Sequence, residues 1–381
     1  MKILFLIRSL GTGGAERQLV TLATALQKKG HTVLVACLYD VKGPLKDQLK
    51  EAKVTYHVFS KKSRWDILGF GKNLLTFVRQ ISPDILHSYM PLQNILALCL
   101  KPFIPSKVVC GVRIAMPDLS AYDWFTRLTY WLEAKLIRFS DGVISNSQAA
   151  LDLYTKRQHR TDHFHVIPNG VDFAKFILNP DLGILFRKKN NIPDDLFLIG
   201  SVGRFDPQKN YPAFLRGART LLDQRQDVSF ICVGDMNSPE YKNYKALSNQ
   251  LGLQSHILWF DKQSDMSSVY SALDALCLMS QFEGFPNVLV EALSCGTLCL
   301  STDVGDASLI LDHHSLGKII STDSPAAMAQ SLETLMQQEQ SKTSRDRLDD
   351  GRKRRKNVQK RFSVENLVYQ TEQVMKRILN G

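Results

Sequence analysis

Lys2-Ile-Leu-Phe-Leu-Ile-Arg8 opens the chain, and Leu196-Phe-Leu-Ile-Gly-Ser-Val202 opens its second half. Each run is mostly apolar and of strand length, and each leads into a glycine-containing turn. These turns are Gly11-Thr-Gly-Gly-Ala-Glu16 and Gly203-Arg-Phe-Asp-Pro-Gln-Lys209. A buried strand, a glycine turn and a following helix are typical of the first unit of a Rossmann-like domain. The sequence therefore predicts two such domains in tandem.

Further strand candidates alternate with amphipathic segments such as 15–29 and 212–224. The candidates are residues 31–38, 85–87, 108–112 and 142–145, and then 228–233, 257–259, 275–279 and 298–301. Apolar strands separated by helices indicate α/β domains whose parallel sheets are covered on both faces. A length of 381 residues also suits two domains better than one.

The boundary is predicted after Ile167-Pro-Asn-Gly-Val-Asp172 and before Pro193, because Pro-Asn-Gly favours a turn. We expect a first domain over residues 1–175 and a second over 190–361. The last segment, about 362–381, has helical apolar spacing.

Cysteine content and hydropathy indicate the cellular compartment in which the protein is expected. The seven cysteines are odd in number and include no Cys-x-x-Cys pair, so neither a disulfide framework nor a zinc site is indicated. No stretch reaches the roughly 18 uninterrupted apolar residues of a spanning helix. We expect a cytoplasmic protein, neither secreted nor integral.

The net positive charge comes entirely from the first half. Residues 1–180 carry 24 Lys and Arg against 13 Asp and Glu, whereas residues 181–381 carry 24 of each. Charge confined to one domain can simply aid solubility, but it also marks a face that meets an anionic partner. No nucleic-acid-binding module is recognisable, so nucleic acid is not expected. We expect a phosphorylated acceptor or the anionic inner face of the cell membrane.

Two carboxylates stand eight residues apart in Gln281-Phe-Glu-Gly-Phe-Pro-Asn-Val-Leu-Val-Glu-Ala-Leu-Ser-Cys-Gly296. Pro286 suits the first turn of a helix that begins near Asn287, which places Glu291 about one turn inside it. A solvated loop acid and a surface helix acid would be the plain alternative. The apolar residues around both acids argue against it, because a buried charge needs a partner.

This stretch resembles the Glu-x7-Glu signature of retaining glycosyltransferases of the GT-B fold, family 4 (glycosyl transferases group 1). The resemblance covers essentially the whole chain, and it implies two Rossmann-like domains whose sheets face a central cleft. It also implies that Glu283 contacts the donor sugar and that Glu291 holds the ribose hydroxyls. The intervening Gly284, Phe285, Pro286 and Asn287 would line the donor site. In relatives the last helix crosses back onto the first domain, and we expect the same here.

The glycine-rich loop of the first half departs from the dinucleotide fingerprint. Glu16 occupies the place of the third glycine, so an NAD site is not expected. Gly-Gly-Ala-Glu-Arg instead resembles the first-domain loop of these glycosyltransferases. The resemblance implies that donor phosphate approaches the backbone at Gly13 and Gly14, and we place Glu16 and Arg17 on the acceptor side.

Arg204 and Lys209 follow the first strand of the second half, where ligands of open α/β sheets bind. Two cations in this loop can bracket a diphosphate and neutralise the charge on a departing nucleoside diphosphate. Two solvated loop cations are the alternative. No Asp-x-Asp occurs in the chain. We therefore predict that no metal and no cofactor is required.

Two further candidates lie in the first half. His87 and Arg113 each come near the end of a predicted strand. A lone His there can equally be structural, and we assign His87 an active-site role as a candidate. Many relatives carry a His near Arg113 or Pro117, and its absence here puts a His-assisted step in doubt. Arg113 is instead a candidate contact for acceptor phosphate.

Three further segments are rich in basic or aromatic residues. Residues 121–139 read as a helix with aromatic and basic side chains, which suits a lipid interface or packing against the sheet. Lys61-Lys62-Ser63-Arg64-Trp65 is a second candidate for the lipid interface. Arg352-Lys-Arg-Arg-Lys356 is interpreted as a solvated helix face.

The sequence thus predicts a retaining, metal-independent hexosyltransferase. The resemblance implies transfer from a nucleoside-diphosphate sugar, with UDP preferred, to an acceptor hydroxyl, with the leaving phosphate helping to deprotonate that hydroxyl. The acceptor is expected to be a lipid-linked saccharide of surface polysaccharide assembly. A nucleotide-sugar 2-epimerase of the same fold and a non-catalytic nucleotide-sugar-binding protein remain alternatives. The base, sugar, linkage, acceptor identity and oligomeric state are not fixed by the sequence.

Overall fold

The computed structural model describes residues 1–11, 13–59, 68–113, 123–156 and 162–381. The chain divides into two compact units. Unit 1 comprises Met1–Gly170 together with Val364–Gly381, and unit 2 comprises Val171–Ser363.

Unit 1 contains a seven-stranded sheet of order β3-β2-β1-β4-β5-β6-β7 in which the paired strands are parallel. Its strands are β1 (Lys2–Ile7), β2 (Thr32–Cys37), β3 (Thr55–Val58), β4 (Ile85–Tyr89), β5 (Lys107–Val112), β6 (Gly142–Ser145) and β7 (Phe164–Val166). Its helices are α1 (Gly14–Lys28), α2 (Leu45–Glu51), α3 (Leu68–Ile81), α4 (Pro91–Leu100), α5 (Trp124–Leu136) and α6 (Gln148–Thr155), with the C-terminal α15 (Val364–Asn380).

Unit 2 contains a six-stranded sheet of order β10-β9-β8-β11-β12-β13, also with parallel pairs. Its strands are β8 (Phe197–Val202), β9 (Val228–Val233), β10 (Ile257–Phe260), β11 (Ala275–Leu278), β12 (Leu298–Thr302) and β13 (Gly317–Ile320). Its helices are α7 (Pro180–Lys189), α8 (Tyr211–Leu222), α9 (Pro239–Gln250), α10 (Met266–Ala272), α11 (Asn287–Ser294), α12 (Ala307–Ile310), α13 (Pro325–Gln340) and α14 (Ser344–Phe362).

Both sheets form because their central strands are buried on both faces. In β1, residues Ile3 to Leu6 are fully buried, and β9 is buried along its whole length. Helices then cover the two faces of each sheet, as the apolar clusters on either side show. The predicted α/β fold with two Rossmann-like, parallel-sheet domains is confirmed.

Three strands at or near sheet edges were not predicted: β3, β7 and β13. They are only three or four residues long, and each of them contains partly exposed residues. A short, partly exposed edge strand carries little of the apolar signal that marks a central strand.

The division between the units falls earlier than the sequence suggested. Unit 2 begins at Val171, whereas the first domain was expected to run to 175 and the second to begin at 190. Residues 171–189 belong to unit 2 because Phe173 and Phe176 pack into its apolar core, and α7 follows directly. The chain returns to unit 1 at Val364, where α15 packs against α1.

Candidate functional site

Two loops of unit 2 meet at the carboxyl edge of its sheet. β8 and β11 are parallel neighbours, so the loops that follow them emerge at the same edge. The backbone N–H of Gln281 donates to the carbonyl of Gln208 at 2.8 Å. The Gln208 side chain in turn donates to the carbonyl of Phe282 at 2.8 Å. These bonds join the turn 203–209 to the loop 281–286.

The joined loops bring Lys209 and Glu283 together. Lys209 Nζ lies 2.5 Å from Glu283 Oε1, and the two side chains are 14% and 10% exposed. The hydroxyl of Ser280 donates to the same carboxylate oxygen at 2.8 Å. Gly203 permits the Lys209 stem to pass, because a Cβ at that glycine would stand 3.1 Å from Lys209 Cε. A mostly buried ion pair therefore forms the centre of the site.

Arg204 occupies the same turn but points elsewhere. Its side chain is 69% exposed and lies 3.1 Å from Asp206 Oδ2. It also donates to Gln208 Oε1 at 3.3 Å. The structure thus brings Lys209 to Glu283 and leaves the Arg204 guanidinium on the surface of the turn, where a ligand can reach it.

Glu291 is held in the interior of α11. It is the fifth residue of this helix, 6% exposed, and accepts a hydrogen bond of 2.8 Å from the hydroxyl of Tyr270. Tyr270 is itself fully buried in α10. Pro286 was expected in the first helical turn and instead occupies the N-cap, one position earlier.

The loop after β12 supports the site and was not predicted from the sequence. Gly305 has a φ of +54°, and a side chain there would collide with the carbonyls of Glu283 and Gly284. The backbone N–H of Asp306 donates to the carbonyl of Gly284 at 3.0 Å. The only signal available was the short run Asp303-Val-Gly-Asp306, which favours a turn.

Phe285 serves packing within unit 2. It is 5% exposed, and its ring centroid lies 5.3 Å from that of Phe362. This contact anchors the loop that carries Glu283. The Phe285 side chain is thus taken up by packing within unit 2, and its donor-lining role stays a prediction.

The glycine loop of unit 1 leads into α1. Gly13 is the N-cap residue, and its carbonyl accepts the backbone N–H of Arg17 at 3.0 Å. Gly14 is the first helical residue and Glu16 lies in the first turn. The free N–H groups of a helix N-terminus attract anions, so this end of α1 is a candidate phosphate contact.

His87 lies inside β4, two residues before the strand ends, which differs from the predicted position at the carboxyl edge. It is fully buried: its Nδ1 lies 3.0 Å from the Val109 carbonyl and its Nε2 lies 3.5 Å from an Arg113 nitrogen. Burial, and next the charge of Arg113, lower the pKa of His87 to about 3. The imidazole is therefore neutral at ordinary pH, and its Nε2 faces the guanidinium of Arg113.

Arg113 immediately follows β5 and rests on an aromatic ring. Its guanidinium carbon lies 4.0 Å from the centroid of Tyr89. Burial lowers the pKa of Arg113, and its Nε has no hydrogen-bond partner among the described residues. A cation desolvated in this way, without a carboxylate among its described contacts, is suited to an anionic ligand.

Two of the sequence predictions concern residues that the structure does not describe. The Lys61 to Trp65 segment and Pro117 lie outside the described residues. Within the described ranges, no group of three or more His, Cys, Asp or Glu side chains could hold a metal ion. The same ranges contain no helix long and apolar enough to cross a membrane.

The fold places the chain in the GT-B class. HepE from Anabaena, solved in complex with UDP, has a TM-score of 0.86 at 20% identity, with 99% of this chain and 100% of that chain covered. WaaG, a glycosyltransferase involved in lipopolysaccharide biosynthesis, has a TM-score of 0.73 at 17% identity and full coverage of both chains. These neighbours are GT-B glycosyltransferases, and the two parallel-sheet, Rossmann-like domains of this chain match that fold.

Sequence comparison names the family. The model "Glycosyltransferase Family 4" matches residues 12–175, and the model "Glycosyl transferases group 1" matches residues 184–355. One curated relative is the GalNAc-alpha-(1->4)-GalNAc-alpha-(1->3)-diNAcBac-PP-undecaprenol alpha-1,4-N-acetyl-D-galactosaminyltransferase of Campylobacter jejuni. It is 26% identical over 364 residues, which cover 89% of this chain and 90% of the relative. The UDP-Gal:alpha-D-GlcNAc-diphosphoundecaprenol alpha-1,3-galactosyltransferase of Escherichia coli is 28% identical, with 73% of each covered. The chain belongs to the GT-B glycosyltransferases. These comparisons give no support to the epimerase alternative.

Proposed function

We propose that the chain transfers a sugar from a UDP-linked donor to a hydroxyl group of a lipid-linked saccharide, with retention of anomeric configuration. The observation that carries the proposal is the Lys209–Glu283 pair. Two loops from neighbouring strands converge on it at the sheet edge where α/β proteins bind ligands. The relatives support the acceptor class, because two of them are named for substrates linked to undecaprenol through a diphosphate.

The reaction balances without a protein nucleophile. The bond between the anomeric carbon and the β-phosphate oxygen breaks, and the acceptor oxygen forms a new bond to that carbon on the same face. The acceptor proton passes to the departing phosphate. As the anomeric bond breaks and before that proton arrives, negative charge develops on the leaving UDP, which is where cations lower the barrier.

Four side chains of unit 2 have distinct roles in this proposal. Lys209 and the exposed Arg204 contact the diphosphate and stabilise its departing charge. Glu283 accepts hydrogen bonds from sugar hydroxyls, and its position is fixed by Ser280 and Lys209. Glu291, held by Tyr270, accepts hydrogen bonds from the ribose hydroxyls. The N-terminus of α11, at Asn287, supplies backbone N–H groups to phosphate.

Unit 1 contributes the acceptor side. Arg113, desolvated against Tyr89, contacts acceptor phosphate, and neutral His87 orients it. His87 is thus a positioning residue in this proposal rather than a residue that takes part in the chemical step. Glu16 and Arg17, at the start of α1, remain candidate acceptor contacts, and Gly13 and Gly14 remain candidate donor-phosphate contacts.

The proposal includes no metal and no cofactor, because cations and helix termini supply the positive charge. It also places the enzyme in the cytoplasm, peripherally on the inner face of the membrane that carries its acceptor. A chelator tests whether a metal is needed. Activity in excess EDTA should equal activity with added Mg²⁺. A loss of activity in EDTA that Mg²⁺ restores would show that a metal is required.

A donor panel tests the function as a whole. Purified protein is incubated with labelled nucleotide sugars and a membrane extract, and the products are separated into lipid, free nucleotide sugar and epimer. We expect label in the lipid fraction with the anomeric configuration of the donor. Isomerised donor, or donor binding without turnover, would replace the proposal with the epimerase or the binding protein. Glu283→Gln should bring transfer close to background, while Asp223→Asn, a surface acid of α8 in the same unit, should not.

A further inference from the structure

Helix α5 of unit 1 presents an exposed aromatic and basic surface. Trp124, Leu128 and Trp131 are 64%, 46% and 59% exposed. Arg127 and Lys135 are exposed between and beyond them. Because an α-helix repeats every 3.6 residues, positions 124, 127, 128, 131 and 135 share one side. We call these five residues the α5 ridge.

The buried Glu133 fixes the orientation of α5, so that the ridge faces outward. Glu133 lies on the opposite side of α5 and is 1% exposed. Its carboxylate accepts a hydrogen bond from the Asn94 amide at 2.5 Å and another from the Tyr154 hydroxyl at 2.5 Å. Rotating the helix to bury the tryptophans would pull this charge away from both partners, which is costly for a buried carboxylate. The exposure of Trp124 and Trp131 is therefore a property of the fold.

An open apolar pocket lies at the C-terminal end of α5. Its volume is about 530 Å³, and its lining residues are Leu98, Cys99, Lys101, Pro102, Leu136 and Phe139. Phe139 and the neighbouring Phe103 are 56% and 57% exposed. Lys101 donates to the Phe139 carbonyl at 2.8 Å, which ties the two aromatic segments together. Exposed aromatic side chains grouped at one end of a helix, beside an apolar pocket, are typical of an interaction site.

The charge of the surrounding unit selects the kind of partner. Unit 1 carries 25 Lys and Arg against 14 Asp and Glu, whereas unit 2 carries 23 of each. Asp123 is the one acid beside the ridge in the described part of α5 and its N-cap, and its carboxylate caps the helix by accepting the Thr126 N–H. A second copy would place one positive face against another, which disfavours self-association.

We propose that the α5 ridge and its pocket dock unit 1 on an anionic phospholipid bilayer. Trp side chains prefer the boundary between headgroups and acyl chains, and Lys and Arg beside them attract anionic headgroups. In this arrangement Trp124, Leu128 and Trp131 enter the boundary, Arg127 and Lys135 lie at the phosphates, and the pocket accepts part of an acyl chain. The inference deepens the proposed function by assigning the membrane-facing surface, but it does not depend on transfer activity.

Vesicle flotation of the full chain tests the proposal. Wild-type protein should bind phosphatidylcholine vesicles that contain phosphatidylglycerol, bind pure phosphatidylcholine weakly, and dissociate as salt is raised. Trp124→Ser/Trp131→Ser and Arg127→Glu/Lys135→Glu should each weaken binding by at least about tenfold. Ile184→Ser/Leu185→Ser is the matched control, because it removes two exposed apolar residues, 54% and 62% exposed, from unit 2. It should bind as the wild type does.

The outcomes separate docking from catalysis. Unchanged vesicle binding in both ridge variants would overturn the proposal, as would a wild-type protein that ignores anionic lipid. A wild-type dimer that the Trp variant converts to a monomer, without an effect on vesicles, would assign the ridge to a second copy instead. Transfer to a detergent-solubilised acceptor should be equal in the wild type and the Trp variant, so loss of function at the donor site cannot mimic loss of docking.

Discussion

The Lys209–Glu283 pair provides the sharpest test of the site, because each side chain is the partner of the other. Only 14% of the Lys209 side chain and 10% of the Glu283 side chain are exposed. Replacing one of them with methionine, which has a similar unbranched shape, leaves the other charge mostly buried without its partner. Removing one member of a buried pair typically costs about 3–5 kcal/mol of unfolding free energy.

The double variant should cost much less than the sum of the single variants. Lys209→Met/Glu283→Met removes both charges, and apolar replacement of a whole buried pair is often close to neutral. We therefore expect a coupling free energy of at least about 2 kcal/mol from the four-protein cycle. Ser280, which donates to Glu283, is kept in every variant.

The assay must report on unit 2 alone, because the chain has two units that can unfold separately. Urea unfolding of the full chain, followed by hydrogen exchange of peptides from β8 and β11, meets this requirement. The matched control is the Arg219–Asp223 pair of α8, at 2.8 Å but with side chains 33% and 65% exposed. Its coupling should be under about 0.5 kcal/mol. A Lys209–Glu283 coupling no larger than that of the control would refute the buried-pair argument.

Three shorter predictions follow from the same structure. Arg204→Ala should leave the unfolding free energy within about 0.5 kcal/mol of wild type, because the side chain is 69% exposed, and yet lower kcat about 100-fold or more in a transfer assay. Burial lowers the pKa of His87 to about 3, so the unfolded state binds a proton that the folded state excludes. The unfolding free energy of the wild type should therefore fall as pH decreases below 6.5. Urea unfolding of His87→Gln at a series of pH values should show a shallower decline. Burial raises the pKa of Glu372, but hydrogen bonds from Lys29 and His31 outweigh this effect, so the net pKa is lowered. The Tm of Glu372→Gln should be lower than that of the wild type at pH 7, and the difference should shrink as pH falls below 4.5. A difference that does not change with pH would contradict the lowered pKa of Glu372.

The central strands were predictable because burial on both faces leaves a continuous apolar run. The predicted 142–145 and 228–233 coincide with β6 and β9, and 196–202 differs from β8 by one residue. The order of the strands in each sheet is harder to read from the sequence, because it depends on where each crossover helix packs against the sheet. The loops of the site were predictable for a related reason: each loop begins directly after one of these apolar runs.

The ion pair itself was not predictable. The sequence assigned Lys209 to phosphate and Glu283 to sugar, and nothing in the sequence indicated that two residues 74 positions apart contact each other. Their contact depends on β8 and β11 being neighbours although β9 and β10 lie between them in the chain. The same limit applies to His87 and Arg113, whose approach follows from the pairing of β4 with β5.

The basic run 352–356 shows where composition misleads. It was interpreted as a solvated face of a helix, and this interpretation is wrong for two of its arginines. Arg354 is 4% exposed, lies 3.1 Å from Glu339 and donates to the carbonyls of Gly296 and Ser315. Arg355 donates to the carbonyls of Phe173, Phe176 and Ser294. Arginine can be buried where its five donors find acceptors, and here the acceptors, mostly backbone carbonyls, belong to segments that are distant in the sequence.

The neutrality of the Lys209–Glu283 pair has a consequence for the proposed reaction. Because Glu283 already balances Lys209, and Asp206 lies beside Arg204, the side chains of the site offer a diphosphate little net positive charge. The attraction must then come from the N-terminal N–H groups of α11 and from Lys209 being shared between carboxylate and phosphate. Sharing becomes favourable as Glu283 turns its oxygens to sugar hydroxyls. In the proposed reaction, sugar recognition by Glu283 and phosphate stabilisation by Lys209 are therefore coupled, so that a nucleoside diphosphate without its sugar gains less from Lys209 than the complete donor does.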